Sequence, residues 1–156
     1  MIEIMEKRNY QIYLIDENVR ETYTGREYMF FNLFKEYSQS TGEKAWMIGK
    51  QILYITKNIS AGGLKYTLEE QLHYNKNIYA RNDIYYARTK GKNSKWKSNA
   101  KLEMKNRVLH LEAQGNYDAE TIFFESIRKC GDGFLAIDLN HARYGWLKPI
   151  KHRNFI

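Results

Sequence analysis

The sequence predicts an α/β protein of the α+β type, with a mixed, mostly antiparallel sheet of about five or six strands and about three helices. Segments rich in β-branched and aromatic residues are interleaved with segments in which apolar residues recur every three or four positions. The 156 residues, of which 43% are hydrophobic, are enough to bury one core without disulfides or metals. We therefore expect a single domain over residues 1–156.

The first quarter of the chain predicts one strand followed by two helices. Residues 10–15, YQIYLI, form a buried strand whose alternate side chains face opposite sides of the sheet. Residues 16–25, DENVRETYTG, suit about two helical turns with an acidic start and a glycine stop. Residues 26–37, REYMFFNLFKEY, predict an amphipathic helix that packs on the sheet. Its apolar stripe consists of Phe30, Leu33, Phe34 and Tyr37.

The segment KAWMIGKQILYITKN, residues 44–58, is compatible with both a helix and a strand. Its apolar residues recur at helical spacing, while its β-branched content and Gly49 would also suit a strand. We favour the helix. On that helix Gln51 and Tyr54 lie three residues apart on the face opposite the core, so we expect them to point outward.

From residue 62 onward the pattern changes to strands. LKYTL at 64–68 alternates, and DIYYART at 83–89 is rich in tyrosine, so both predict strands. The residues from 101 to 113 predict a hairpin, KLEM and VLHLEA, with its turn at 105–107.

The last third predicts a helix and a central strand. Residues 117–131, YDAETIFFESIRKCG, form a helix capped by Asp118, and FLAIDL at 134–139 is a strand covered on both faces. A right-handed crossover through this helix predicts that the strands before and after it run parallel. The buried stripe of the helix consists of Ala119, Ile122, Phe123 and Ile127.

The basic residues are concentrated in one window, RTKGKNSKWKSNAKLEMKNR at 88–107. It holds eight Lys or Arg and one Glu, so its formal charge of +7 equals that of the whole chain. Positive charge together with Trp96 is typical of proteins that bind single-stranded nucleic acid, and a nucleic-acid-binding protein using 88–107 is the alternative function. A lysine-rich loop is more often a solvated feature at a sheet edge, so DNA contact is not favoured.

An enzyme is a weaker hypothesis. Asp138 ends the predicted central strand, with His141 and Arg143 in the loop after it, and Glu120 offers a second carboxylate. Nothing identifies a nucleophile, and the sequence contains no phosphate loop or dinucleotide fingerprint. The four histidines lack metal-ligand spacing. We expect no catalytic residue, no metal and no cofactor.

Targeting and membrane signals are absent from the sequence. The first six residues include two glutamates, and no apolar stretch approaches the length of a membrane span. A single cysteine, Cys130, is typical of a reducing compartment. We expect a cytoplasmic monomer that does not bind membranes.

Tyrosine content favours a third class, a protein-binding module. The chain has 13 tyrosines, and outward tyrosines such as Tyr23 and Tyr54 are enriched at the hot spots of protein interfaces. Most tyrosines otherwise line the sheet with their hydroxyls at the surface.

Several longer blocks carry more specific information. In the last third they are AETIFFESIRK at 119–129, FLAID at 134–138, RYGWL at 143–147 and KPIKHRNF at 148–155. In the first half they are YLI at 13–15, Tyr23 with GRE at 25–27, LF at 33–34 and QILYIT at 51–56. Together these blocks closely resemble the SirA family, the sporulation inhibitors of replication of spore-forming bacilli. The resemblance is weakest between about 57 and 106, and RYGWL has no general role in holding a fold.

The resemblance implies a small cytoplasmic inhibitor rather than an enzyme. It implies binding to the N-terminal domain of the replication initiator DnaA, which keeps the initiator from acting at the origin once the cell commits to sporulation. The implied contact residues are Val19, Tyr23, Gln51 and Tyr54. The family pattern has phenylalanine where this chain has Val19, and Met5 is an alternative start. The helical spacing agrees, since it places both residues of each pair on one helix face.

Overall fold

The computed structural model describes residues 6–93 and 95–148. Within these residues eight strands form one sheet and five helices accompany it. The predicted α+β class is confirmed, and every strand pairing in this part of the chain is antiparallel. The expected five or six strands and three helices are too few. Met5 and the block at 149–155 lie outside the described residues.

The elements follow one another in a defined order along the chain. They are β1 (Lys7–Ile15), α1 (Glu17–Thr22), α2 (Tyr28–Gln39), α3 (Gly42–Ile55), β2 (Thr56–Lys57), α4 (Ala61–Tyr74), β3 (Ile78–Arg81), β4 (Ile84–Lys90), β5 (Trp96–Lys105), β6 (Val108–Gly115), α5 (Asp118–Arg128), β7 (Phe134–Asp138) and β8 (Arg143–Trp146).

The sheet has the strand order β3-β4-β5-β6-β1-β7-β8, and the short β2 pairs with the end of β1. The first strand is therefore an interior strand of the sheet, antiparallel to β6 on one side and to β7 on the other. Because both neighbours oppose β1, β6 and β7 run in the same direction, as the crossover through α5 predicts. They do not pair with each other, because β1 lies between them.

The strand predicted at 64–68 is wrong, because this segment belongs to α4. The side chain of Ser60 accepts a hydrogen bond from the backbone of Gly63 and caps the helix. Leu64 and Leu68 are the buried residues of α4. Apolar residues four positions apart satisfy both an alternating strand and a helical face, so five residues were too few to distinguish the two.

The sheet has a core on each face. On the first face, α4 and α5 cover a core that includes Tyr10 and Ile12 of β1. On the second face, α2 and α3 cover a core that includes Tyr13 and Ile15. The predicted alternation of β1 is therefore confirmed. Among the described residues, this second core contains no side chain of β3, β4 or β5, so the helices of the second face leave that part of the sheet uncovered.

The buried stripe of α5 is confirmed for three of its four predicted residues, since Ile122 is only partly buried, and its predicted cap is wrong. Ala119, Phe123 and Ile127 are fully buried. Asp118 is the first helical residue rather than the cap, and its backbone N–H donates to the side chain of Asn116 at 3.0 Å. The predicted strand at 134–139 is confirmed as β7, in which all five residues are buried.

Candidate functional site

Four residues predicted to contact a partner come together around one depression of about 500 Å³ between α1, α2 and α3. These residues are Val19, Tyr23, Gln51 and Tyr54. We call this depression the helical groove. Its remaining lining residues are Met29, Phe30, Leu33, Lys50 and Ile55. The structure therefore places both predicted pairs on one surface.

A connection between the ends of α1 and α3 brings the two pairs together. The backbone N–H of Asp16 donates to the carbonyl of Ile55 at 2.8 Å. The carboxylate of Asp16 accepts from the N–H groups of Asn18 and Val19 and caps α1. Lys57 lies 3.7 Å from the same carboxylate. The start of α1 is thus fixed against the end of α3 by backbone and side-chain contacts.

Tyr23 is held in place by contacts with its neighbours. Its ring packs edge-to-face on Phe30, with the centroids 5.5 Å apart, and the guanidinium of Arg26 lies 5.1 Å from its ring centroid. Gly25 follows with a φ of +80°, a conformation that glycine adopts without steric cost. These contacts leave Tyr23 partly buried, and it also lines the groove.

Tyr54 is free of such packing. Its side chain is 83% exposed, and α3 buries Ile48 and Ile52 on its other face. The predicted outward orientation of Gln51 and Tyr54 is therefore confirmed. Since Tyr54 contributes little to the core, its replacement should leave the fold intact.

A second group of exposed apolar residues lies on α3 and escaped the sequence analysis. Trp46, Met47 and Leu53 are each more than half exposed, and the ammonium of Lys50 lies 3.8 Å from the centroid of the Trp46 ring. Apolar residues on the outer face of an amphipathic helix are the signal that could have identified them. Together with Tyr54 they give α3 an unusually apolar surface, which is typical of a binding site for another protein.

The block RYGWL, which falls largely on β8, supports the helical groove. The ring of Trp146 packs edge-to-face on Phe30 at 6.2 Å, and its Nε1–H donates to Glu27 at 3.4 Å. Phe30 in turn contacts Tyr23. The block therefore has a structural role in this chain, because Trp146 holds the start of α2.

The residues of the enzyme hypothesis form an ion cluster. Asp138 is 1% exposed and accepts from Arg143 at 2.7 Å and from the ring and backbone of His141 at 2.8 and 3.2 Å. Burial opposes ionisation of Asp138, but these hydrogen bonds outweigh it and lower the pKa of the carboxyl. Hydrogen bonds to Glu6 and Asp138 raise the pKa of His141. Both charged forms are favoured, which is typical of a structural ion cluster.

Glu120 is paired with an arginine rather than with Asp138. The Nε–H of Arg8 donates to both Glu120 carboxylate oxygens, at 2.9 and 3.1 Å, and both side chains are nearly fully buried. A hydrogen bond to Glu120 raises the pKa of Arg8. This buried ion pair joins β1 to α5. Glu120 therefore has a structural partner on β1.

Two further features of the described residues bear on function. Within 6–93 and 95–148, no group of three or more His, Cys, Asp or Glu side chains is arranged to hold a metal ion. None of the helices in this part of the chain is both long and apolar enough to cross a membrane.

The basic window at 88–107 spans the end of β4, a loop, all of β5 and a two-residue turn. Arg107 in that turn donates to the carbonyl of Thr56, so it serves to hold the turn against the end of α3. Arg88 and Lys90 instead lie against the ring of Trp96, on the part of the sheet that α2 and α3 leave uncovered.

Comparison with known proteins gives two findings. The family model described as "Sporulation inhibitor of replication protein SirA" matches residues 8–151 of the chain. A Bacillus subtilis (strain 168) protein with the same description is 41% identical over 152 residues, which cover 96% of this chain and 99% of that protein.

Proposed function

The chain belongs to the SirA family of sporulation inhibitors of replication, and we propose that it inhibits the initiation of DNA replication at the onset of sporulation by binding the N-terminal domain of DnaA. The description of the Bacillus subtilis relative as an inhibitor of replication supports the role. The observation that carries the binding mode is the helical groove, where Val19, Tyr23, Gln51 and Tyr54 line one depression.

The chemistry of the groove suits a protein partner. Its floor is apolar, from Phe30 and Leu33, while Gln51 supplies an amide that can donate and accept hydrogen bonds. Tyr54 projects from the rim with most of its surface exposed. An apolar centre with a few polar groups and accessible aromatic residues is the usual composition of an interface hot spot.

The exposed side of α3 extends this surface beyond the groove. A second depression of about 440 Å³ adjoins it, and its lining residues include Trp46, Lys50 and Leu53. Lys50 lines both depressions, so they form a continuous surface. We propose that DnaA covers the groove and also extends over this outer side of α3.

Inhibition in this proposal is stoichiometric. A protein that occupies the N-terminal domain of the initiator blocks whatever that domain must contact, without chemical turnover. The proposal assigns the chain a cytoplasmic, monomeric and non-catalytic role that uses no cofactor.

A titration of the full chain against the cognate DnaA N-terminal domain tests the proposed function. Isothermal calorimetry should show one-to-one binding, and a variant with Gln51→Ala and Tyr54→Ala should bind at least thirtyfold more weakly, which corresponds to about 2 kcal/mol. Absence of binding by the unmodified chain at roughly tens of micromolar of each protein would refute the proposal.

A further inference from the structure

The uncovered part of the sheet carries an unusual set of side chains. They are Tyr79, Tyr86, Arg88, Lys90, Trp96 and Lys101, and we call the surface that they form the open sheet face. All except Lys90 line a shallow depression of about 540 Å³. Tyr79 is 39% exposed and Trp96 is 49% exposed. Large rings and basic groups thus share one accessible surface.

The strand register explains why these residues share a face. Tyr86 lies opposite Tyr79 on one side and opposite Lys101 on the other. The residues that alternate with them, including Ala87 and Ala100, point into the core beneath α4 and α5. A register shift after Thr89 places Trp96 opposite Lys90 and brings its ring to the same face as Arg88.

The rings and cations of the open sheet face are pre-organised by one another. The guanidinium of Arg88 lies 5.5 Å from the centroid of Tyr79 and 5.3 Å from that of Trp96. The ammonium of Lys90 lies 4.7 Å from the Trp96 centroid. Tyr79 and Tyr86 stack with a centroid distance of 5.0 Å and an interplanar angle of 12°. The rings are therefore held in defined orientations before any ligand arrives.

The open sheet face is positively charged, and its basic side chains are available to bind an anionic ligand. Its neighbouring acids are paired, Glu112 with Lys7 at 3.5 Å and Glu103 with Lys105 at 3.7 Å. In contrast, no ion pair between described residues involves Arg88, Lys90 or Lys101. Three cations without a carboxylate partner, set among flat rings, are complementary to a ligand that has both phosphates and planar bases.

We propose that the open sheet face binds single-stranded DNA, with bases stacked on Trp96 and Tyr79 and phosphates contacted by Arg88, Lys90 and Lys101. A single strand is required because the bases of a duplex are stacked on one another and cannot lie against protein rings. The choice of DNA over RNA rests on the proposed function, since a replication inhibitor acts where DNA is opened.

This surface is separate from the helical groove. No residue in the described part of the chain lines both depressions, and the groove is formed by helices that cover a different part of the same sheet face. A DNA strand and the initiator domain can therefore bind at the same time. The DNA-binding surface would hold the inhibitor near the single-stranded DNA on which its target works.

The test measures fluorescence anisotropy of a labelled oligothymidine of about 20 nucleotides, titrated with the full chain at increasing salt. Three phosphate contacts predict a log–log salt slope of about −2, which is roughly a twentyfold loss of affinity between 50 and 200 mM salt. Trp96→Ala should weaken binding by about fivefold to a hundredfold through the loss of base stacking.

Trp46→Ala is the matched control. Trp46 is also an exposed tryptophan with a lysine ammonium over its ring, but it lies on α3. It should leave DNA affinity within about twofold, while Trp96→Ala should leave DnaA affinity within the same range. If circular dichroism shows Trp96→Ala to be unfolded, Lys90→Gln with Lys101→Gln replaces it and should reduce the salt slope by about 1.4.

Each alternative outcome overturns a stated part of the proposal. Absence of oligothymidine binding at low salt, with intact DnaA binding, refutes the DNA-binding surface and leaves the proposed function standing. Tenfold tighter binding of oligouridine refutes DNA as the ligand, and equal binding of duplex refutes base stacking. Tighter binding of polyglutamate, unaffected by Trp96→Ala, would mean that the surface receives an acidic protein. DNA binding without DnaA binding would refute the proposed function alone.

Discussion

The two parts of the sheet's second face use the same residue types in different ways. Over β1 and β7, helices cover the sheet, and aromatic side chains such as Phe30 and Phe34 are buried beneath them. Over β4 and β5 no helix among the described residues contributes to such a core, and Trp96 lies on the sheet itself beside Arg88. The covered part thus presents a groove between helices, whereas the uncovered part presents a flat, basic surface. The comparison teaches that helix coverage, rather than residue composition, decides which ligand chemistry each region suits.

The largest effect on stability should come from breaking the buried ion pair between Arg8 and Glu120, which joins β1 to α5. Glu120→Ala leaves the buried guanidinium of Arg8 without its carboxylate, so we expect the free energy of unfolding to fall by about 3–5 kcal/mol. Urea denaturation monitored by circular dichroism measures this change. Glu125→Ala is the control, because the Glu125–Arg128 pair on the same helix is exposed and should contribute less than about 1 kcal/mol. Similar losses in both variants would contradict a structural role for the buried pair.

Tyr54→Ala should affect binding at the helical groove without affecting binding at the open sheet face. We expect it to weaken DnaA binding by about 2 kcal/mol or more, because an accessible tyrosine supplies a large contact area at low entropic cost. The thermal midpoint and the affinity for oligothymidine should not change. Tyr74→Ala is the matched control, since Tyr74 is 89% exposed on α4 and lies outside the groove lining. Equal loss in the two variants would rule out a specific contact by Tyr54.

Tyr23→Ala should affect both binding and stability. Unlike Tyr54, Tyr23 packs on Phe30 beneath Arg26, so we expect stability to fall by about 1 kcal/mol in addition to the weaker binding. Calorimetry with DnaA and thermal denaturation, performed on the same protein preparation, measure the two effects. A stable variant with unchanged DnaA affinity would remove Tyr23 from the proposed interface.

Val19→Phe should strengthen DnaA binding at the helical groove rather than weaken it. Val19 is partly exposed in the groove lining, and a larger ring at this position can bury more apolar surface against the partner. We expect DnaA binding to tighten by about 1 kcal/mol or less. Val19→Ala provides the opposite change and should weaken binding. If Val19→Phe instead weakens binding, the partner already fills the space at this position.

The smallest effect on DnaA binding should come from the basic window. Replacement of Lys92, Lys95, Lys97 and Lys101 by glutamine should change DnaA affinity by less than about 1 kcal/mol, because remote charges contribute little to a packed interface. The same variant removes one of the three proposed phosphate contacts, that of Lys101, so its salt slope with oligothymidine should fall by about 0.7. A large loss of DnaA affinity would mean that the basic window belongs to the initiator interface.

Much of the fold could be predicted where the periodicity is long. The helix α5 and the strand β7 follow from extended apolar patterns, and the β5–β6 hairpin from its two alternating segments. Prediction failed where the pattern is short. The turn between β3 and β4, with φ of 53° at Asn82 and 63° at Asp83, contains two left-handed residues that suit a tight hairpin. The sequence pattern predicted no strand before this turn.

The candidate site was predicted in part. Helical spacing identified the outward face of α3, and the family resemblance named Val19, Tyr23, Gln51 and Tyr54. Neither could show that the four residues line one depression, because that depends on the hydrogen bond between Asp16 and Ile55. The predicted outward orientation of Val19 and Tyr23 is wrong, because both are partly buried against the core of the second face. The exposed apolar residues Trp46 and Leu53 were also missed, because the apolar residues of this helix were interpreted only as a stripe that faces the core.

The sequence by itself determined the local properties of this protein: the elements with long periodicity, the outward orientation of Gln51 and Tyr54 on α3, and the concentration of positive charge at 88–107. Only the tertiary structure decided which side chains from different elements lie next to one another. It removed Arg107 from the basic surface by binding it to Thr56, and it placed Arg88 between Tyr79 and Trp96. The physical reason is that periodicity specifies a direction around one element, whereas distances between elements depend on sheet register and on contacts between residues far apart in the chain.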